Sequence, residues 1–297
     1  MNFLQRLFFQ PRNDIEQKSP TAVVAPKNVE AMDYSISRLL PGLHLGKCSS
    51  VGRVRERNED SLYVIVSSMY NNYGEEPFGI FIVADGMGGH EKGDVASAVA
   101  AQTMAAGMLS EVYLPTLTSS READTNRPIN EALVTAVEQA NLQVQKLAPE
   151  GGTTLTAAMV MGNSAYIAHV GDTRAYLFNQ NRLKQITEDH SLAQRLKATG
   201  QATPEQIAQI ENVLYRAIGQ TSKIDVDTHF QHLPPGSSLL LCSDGLWKGI
   251  DDDDLIRETV NQSRNPQEAC EKLVTIANEN GGEDNITIVM VTMGVEA

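Results

Sequence analysis

The chain has 297 residues, 41% of them hydrophobic and 21% charged, the proportions of a globular protein built as one large or two small domains. Its 37 acidic residues against 24 Lys and Arg leave a net charge of −13, which argues against nucleic acid or an anionic membrane surface as partner. No apolar run reaches the ~18 residues that span a bilayer, and three scattered cysteines, Cys48, Cys242 and Cys270, exclude a disulfide framework or a cysteine-rich zinc site and suit a cytoplasmic protein.

In chain order, MNFLQRLFFQPR at 1–12 places Leu4, Leu7 and Phe8 on one helical face but is interrupted by Arg6, too short and broken for a secretory segment. It reads either as a short docking helix or as a mobile tail. Residues 13–40 lack periodicity and contain Pro20 and Pro26, which makes them a linker. A flexible tail over 1–43 and a packed domain over 44–294 are therefore expected.

Short apolar, β-branched runs predict strands at 61–66 (SLYVIV) and 78–84 (FGIFIVA). An Ala-rich stretch predicts a well-buried helix over 92–109, and 115–128 reads as an exposed loop. Ile129, Leu133, Val137, Ala140, Val144 and Leu147 recur at helical spacing after Pro128, so a helix over 129–147 follows. Strands at 154–161 and 164–170 form a hairpin turning at Gly162-Asn163, and a strand at 174–178 opens a second hairpin turning at Asn179–Asn181. Residues 191–218, polar and helical with Gly200 and Pro204, read as an inserted flap. A strand at 237–243 precedes DDDD at 251–254, which reads as charge at a helix N-terminus. A helix over 266–279, with Asn265 as N-cap and Pro266 in its first turn, leads into a last strand at 285–291. Strands in consecutive runs with helices between the runs indicate an α+β fold of antiparallel sheets covered by helices.

The acids mark the functional end of this pattern. Asp85 ends FGIFIVA, Asp172 follows AYIAHVG, Asp244 ends LLLCS, Asp284 precedes NITIVMV, and Glu59 and Asp60 precede SLYVIV. Any one of these is ordinary turn chemistry, but five placements at the ends of buried strands put several carboxylates into one volume if those ends meet. Such a cluster needs bound cations or raised pKa values at neutral pH. Oxygen ligands without Cys or a His pair suit Mg²⁺, Mn²⁺ or Ca²⁺, and two hard ions side by side point to phosphate-ester hydrolysis by a water held between them. Asp85 is the natural bridging ligand, because Gly86 lets its backbone carbonyl approach a metal. Arg53, Arg55 and Arg57 in VGRVRERNEDS supply the cation for a phosphate.

Seven stretches then occur together: VGRVRERNEDSLYV, IFIVADGMGGH, GGTTLTAAMV, AHVGDTRAYLF, ITEDHSL, LLLCSDGLW and GGEDNITIVMV. In this order they resemble the metal-dependent protein serine/threonine phosphatases of type 2C, from about His44 to Gly294, in the bacterial-type form. The resemblance implies a central antiparallel β-sandwich flanked by helices on both sides and a binuclear Mn²⁺/Mg²⁺ centre at one end. It implies Asp85 as bridging ligand, Gly86 as carbonyl ligand, Asp244 and Asp284 as ligands of one ion, and Asp60, after Glu59, serving the other. Asp172, with Asp244 shared, matches a ligand to a third ion. Arg55 matches the phosphate-binding arginine, with Arg57 as the fallback, and Asn285 matches a residue that orients the site. Met87 stands where eukaryotic members carry a His, so the proton donor to the leaving alkoxide is left between His90 and a metal-bound water. Thr153, Thr154 and His169 read as core residues, His190 as structural at the flap entrance, and Trp247 as core. The implied substrates are phosphorylated proteins, either the targets of a Ser/Thr kinase or the kinase itself. A hydrolase of small phosphomonoesters and a non-catalytic scaffold for phosphorylated partners are the alternatives.

Overall fold

The computed structural model describes residues 42–71, 74–88, 92–118, 127–199, 203–210 and 212–295. The expected N-terminal tail, all but its last two residues, and the candidate acid His90 lie outside these residues. The elements are β1 (Leu43–Ser50), β2 (Asp60–Asn71), β3 (Gly74–Met87), α1 (Lys92–Met108), α2 (Leu114–Thr118), α3 (Ile129–Leu147), β4 (Gly152–Thr153), β5 (Leu155–Met161), β6 (Ser164–Val170), β7 (Arg174–Asn179), β8 (Arg182–Gln185), α4 (Leu192–Thr199), α5 (Pro204–Gln209), β9 (Asp227–His232), β10 (Ser238–Cys242), α6 (Asp244–Gly249), α7 (Asp253–Asn261), α8 (Pro266–Glu279) and β11 (Ile286–Met293).

The strands form two antiparallel sheets, ordered β1-β11-β10-β7-β8 and β2-β3-β5-β6-β9, with β4 attached to β3. Their period-2 alternation sorts the apolar side chains into three layers of core. From β3, Phe81 and Val83 point between the sheets, where they meet Val160, Ile167, Leu239, Leu241, Val289 and Val291. Ile80, Ile82 and Ala84 of the same strand point outward to α1 and α3. On the far side Leu240 and Cys242 of β10 and Ile286, Ile288 and Met290 of β11 pack under α6, α7 and α8. The order is helix, sheet, sheet, helix, and both faces of each central strand are buried. That is why these strands read in the sequence as unbroken apolar runs rather than as alternations.

Both hairpins form as the turn residues dictate. Met161 pairs with Ser164 around Gly162-Asn163, and Asn179 pairs with Arg182 around Gln180 and Asn181, whose φ values of 49° and 60° are those of a type I′ turn. Helices α3 and α8 occupy the predicted ranges, and Asn265 caps α8 by accepting the Glu268 N–H. The acidic run at 251–254 caps α7, with the Asp252 carboxylate accepting the N–H groups of Asp254 and Leu255. One segment departs from expectation: 115–118 is helical, not loop. A π-turn over 109–113, closed by the Leu114 N–H on the Leu109 carbonyl, carries the α1 path onward into α2. Pro115 fits there because it falls in the first turn of the new helix. All three cysteines are free, and no helix among the described residues is long and apolar enough to cross a membrane.

The layer between the sheets is the mechanical base of the strand ends, so a cavity there should be felt throughout. Phe81→Ala is expected to destabilise by about 3–5 kcal/mol and to lower Tm by ~10 °C. Thermal unfolding followed by circular dichroism checks this.

Candidate active site and metal centre

The acids meet at one end of the sandwich. In the β2–β3 register Asp60 lies directly opposite Asp85, a position at which like charges repel. Asp172 lies in the β6–β7 turn, Asp244 opens α6 after β10, and Asp284 precedes β11. A cavity of about 860 Å³ opens here, lined by Asp85, Asp172, Asp244 and Asp284, with Arg55, Arg57 and Lys92 at its rim and Asn212 and Leu214 from the flap.

Backbone grips hold each acid. Asp85 is clamped from both sides of its peptide: its N–H donates to Thr154 Oγ1 at 2.9 Å, and its carbonyl accepts from Thr153 Oγ1 at 2.8 Å. Both threonines are buried, as the sequence suggested, and the structure adds what they touch. Gly86 has to be glycine, since a Cβ would lie 2.2 Å from the Gly93 carbonyl oxygen and 2.5 Å from that of Glu59. Asp60 accepts a 2.8 Å bond on Oδ2 from Ser243 Oγ, which itself accepts the Thr287 N–H, so β2, β10 and β11 are joined beneath the cavity. The Asn285 side chain accepts the Glu59 N–H and donates to the carbonyls of Val51 and Arg57, fixing the loop that carries Arg55. The Arg55 guanidinium donates to Asp284 Oδ2 at 2.7 Å while its side chain is 52% exposed, which leaves donors facing the cavity. Glu59 turns its backbone into the lattice, its carbonyl accepting from Gly86 N–H and Ser97 Oγ.

The Asp172 turn is supported from behind. Trp247 Nε1 donates to the Asp172 carbonyl at 3.1 Å, and Arg174 lies 3.7 Å from the Trp247 ring centre while forking onto Asp189. Trp247, read from the sequence as core, is thus only partly buried and serves as a strut. His190 joins the flap base to the same turn: Nδ1 accepts the Gly171 N–H at 3.0 Å, which places its proton on Nε2, 3.1 Å from Asp227 Oδ2. Burial pushes the His190 pKa down and favours this neutral form. His169 is fully buried, bonded to Thr156 and the Glu188 carbonyl, and packs as core.

Electrostatics couple the acids to one another. Burial raises the Asp60 carboxyl to about 7, with Asp244 and Asp284 adding to the rise. Burial, then the Asp244 charge, raises Asp172 to about 7. Asp85 is driven well above the carboxylate range by burial first and by Asp244, Asp60 and Asp172 after it. Two buried oxygens, Asp60 Oδ1 and Asp244 Oδ1, have no hydrogen-bond partner among the described residues. Buried polar atoms are rarely left so, and an all-oxygen set with two such orphans fits hard divalent ions. As they stand, no three His, Cys, Asp or Glu side chains among the described residues close around a single ion position; Asp284 is turned to Arg55, and Asp244 Oδ2 to Lys248 Nζ at 2.6 Å. Lys248 was not singled out in the sequence, although Asp244 and Lys248 stand four apart at a helix start, the spacing of a facing pair.

A four-layer sandwich with an acid cluster at the strand ends has a known family. Residues 45–286 match the family described as protein phosphatase 2C, and the chain belongs to it. A serine/threonine phosphatase stp from Listeria welshimeri is 37% identical over 250 residues, covering 81% of this chain and 92% of that one. Protein phosphatase PhpP from Streptococcus pneumoniae is 33% identical over 86% of this chain and 99% of its own. Among solved structures, the serine/threonine phosphatase PstP/Ppp of Mycobacterium tuberculosis aligns with a TM-score of 0.68 at 30% identity, over 85% of this chain and 99% of that one. A PstP catalytic domain solved in complex with two manganese ions aligns with a TM-score of 0.66, also at 30% identity, over 85% of this chain and 99% of that one.

Carboxyls whose folded pKa is raised favour folding while protonated and lose that advantage as pH climbs through the folded value. Metal-stripped protein is therefore expected to lose thermal stability from about pH 5 to about pH 8, as Asp60 and Asp172 pass from near 4 unfolded to about 7 folded. Saturating Mn²⁺ should flatten the profile, because ion binding to the folded state alone stabilises it. Melting curves in chelator and in Mn²⁺ across this range decide it; a chelated profile that rises with pH contradicts the clustering.

Proposed function

We propose that this protein is a Mn²⁺- or Mg²⁺-dependent phosphoprotein phosphatase that hydrolyses phosphoserine and phosphothreonine. The observation that carries the reading is the convergence of Asp60, Asp85, Asp172, Asp244 and Asp284 at one end of the sandwich, two of them with unpartnered buried oxygens, beside an arginine with free donors. Membership of the protein phosphatase 2C family and the names of its relatives support it.

Asp60, Asp85, Asp244 and Asp284 with the Gly86 carbonyl would hold two ions, Asp85 serving both, and Asp172 stands at the neighbouring corner. When bound, such ions neutralise the carboxylates and make water a nucleophile at neutral pH. The chain's own part is positional. The threonine clamp and the Ser243 bond keep the acids together against their repulsion, so the cluster forms before any ligand arrives. Arg55 presents its planar fork to the phosphate oxygens, and Asp284 and the Asn285-held loop fix the direction of that fork. The flap residues Asn212 and Leu214 bound the side from which a peptide carrying the phosphate would enter. No histidine lines the cavity among the described residues; the proton for the leaving alkoxide comes from His90 or from water. Phosphoproteins made by a Ser/Thr kinase, or that kinase itself, are the substrates this site suits, and the cytoplasm is where it would meet them.

Asp85→Ala is expected to lower phosphate release from a phosphothreonine peptide in Mn²⁺ by about 100-fold or more. Retention of the wild-type rate would sink the mechanism. Arg55→Ala should cut kcat/KM by roughly tenfold to a hundredfold, with most of the loss in KM, because a charged hydrogen bond to phosphate is removed. Initial-rate kinetics on the folded variants measure both.

A further inference from the structure

Lys248 sits within the acid cluster and has no part in the mechanism above. It lies one helical turn after Asp244 on α6, and its Nζ donates to Asp244 Oδ2 at 2.6 Å. The same Nζ donates to Asn212 Oδ1 of the flap at 2.6 Å and stands 5.2 Å from the Trp247 ring centre. The side chain is 24% exposed. Trp247 in turn lies against Arg174 and donates to the Asp172 carbonyl, so the wall beside Lys248 is held from two sides. The ammonium is thus a fixed charge at the corner shared by Asp172 and Asp244.

We infer that Lys248 is a tethered cation that takes the place of a third divalent ion at the Asp172–Asp244 corner, so that this chain binds two ions rather than three. The inference rests on the reading of the acids as ion ligands. With Oδ2 engaged by Lys248, Asp244 keeps only Oδ1 without a partner, and that oxygen is given to an ion of the two-ion centre. A divalent ion brought to Asp172 would meet a positive charge already in contact with its second ligand. Geometry alone favours the lysine as well: it is delivered by the same helix turn as the acid it neutralises, so no ordering of a separate ion is needed.

The experiment counts Mn²⁺ bound to the metal-stripped full chain, by titration calorimetry and by electron paramagnetic resonance of the free ion, up to millimolar concentrations. Wild type is expected to bind two ions. Lys248→Met should bind a third, at least roughly tenfold tighter than any residual third event in wild type, and Asp172→Asn added to Lys248→Met should abolish it. Lys248→Arg, which restores the charge, should return the count to two. The metal-free protein should also melt lower in Lys248→Met than in wild type. A third ion bound by wild type as tightly as by Lys248→Met, or an unchanged count of two in Lys248→Met, overturns the inference. Should Lys248→Met fail to fold, Lys248→Gln removes the charge while keeping a donor for Asn212, and the same outcomes decide. If Asp85→Ala binds as many ions as wild type, the metal-centre reading fails instead, and the two failures are thereby told apart.

Discussion

Asp60 and Asp85 face each other across a strand pair, and the protein must hold them there. Two carboxylates 4 Å apart repel by ~4 kcal/mol at an effective dielectric of 20, and Asp244, Asp172 and Asp284 approach the same place. The carboxylates themselves, once ionised, only repel one another. What resists is the surrounding sandwich, in which β3 and β5 are buried on both faces and close-packed interiors transmit force without yielding. The grip on Asp85 by Thr153 and Thr154, and the Ser243 bond that ties β10 to Asp60, are local extensions of that resistance. The cations at the margin, Arg55 and Lys248, each lean on one acid and leave the middle of the cluster uncompensated.

The parts of this arrangement that were legible in the sequence share a physical character. Central strands such as FGIFIVA and NITIVMV announce themselves because burial on both faces demands unbroken apolar runs, and α3 and α8 because a single buried stripe imposes a 3.6-residue period between a proline start and a polar end. Acids at the ends of such strands stand out against their apolar neighbours. What stayed hidden lacks that contrast. The edge strands β1 (LHLGKCSS) and β9 (DTHFQH) carry polar residues because one side of an edge meets solvent or flap. Helix α2 was masked by Pro115, which reads as a break unless a π-turn has already restarted the helix. Lys248 and the Trp247 strut belong to a short helix whose existence depends on tertiary contacts, and the meeting of Asn212 with Lys248 depends on where the flap folds back. Long-range juxtaposition of polar groups leaves no periodic trace.

The two stems of the flap are anchored where they leave the sandwich. His190 bonds to both backbone groups of Gly171, and its carbonyl accepts the Tyr215 N–H at the other end of the excursion, so the two stems leave the sandwich from a single anchored point. Arg216 extends the anchor by pairing with Asp227 on β9. The Asp172 turn is the part of the site nearest that anchor.

Asn285 has a temporal meaning as well as a spatial one. The loop bearing Arg55 lies more than two hundred residues before the amide that holds it, and β1 pairs with β11, the first and last strands of the described fold. A ribosome delivers these partners at opposite ends of synthesis. Until β11 docks, the arginine loop lacks its Asn285 bonds and Asp284 has no place among the other acids. A chain still short of its last strand therefore carries most of the acids without the bonds that hold the Arg55 loop in register with them.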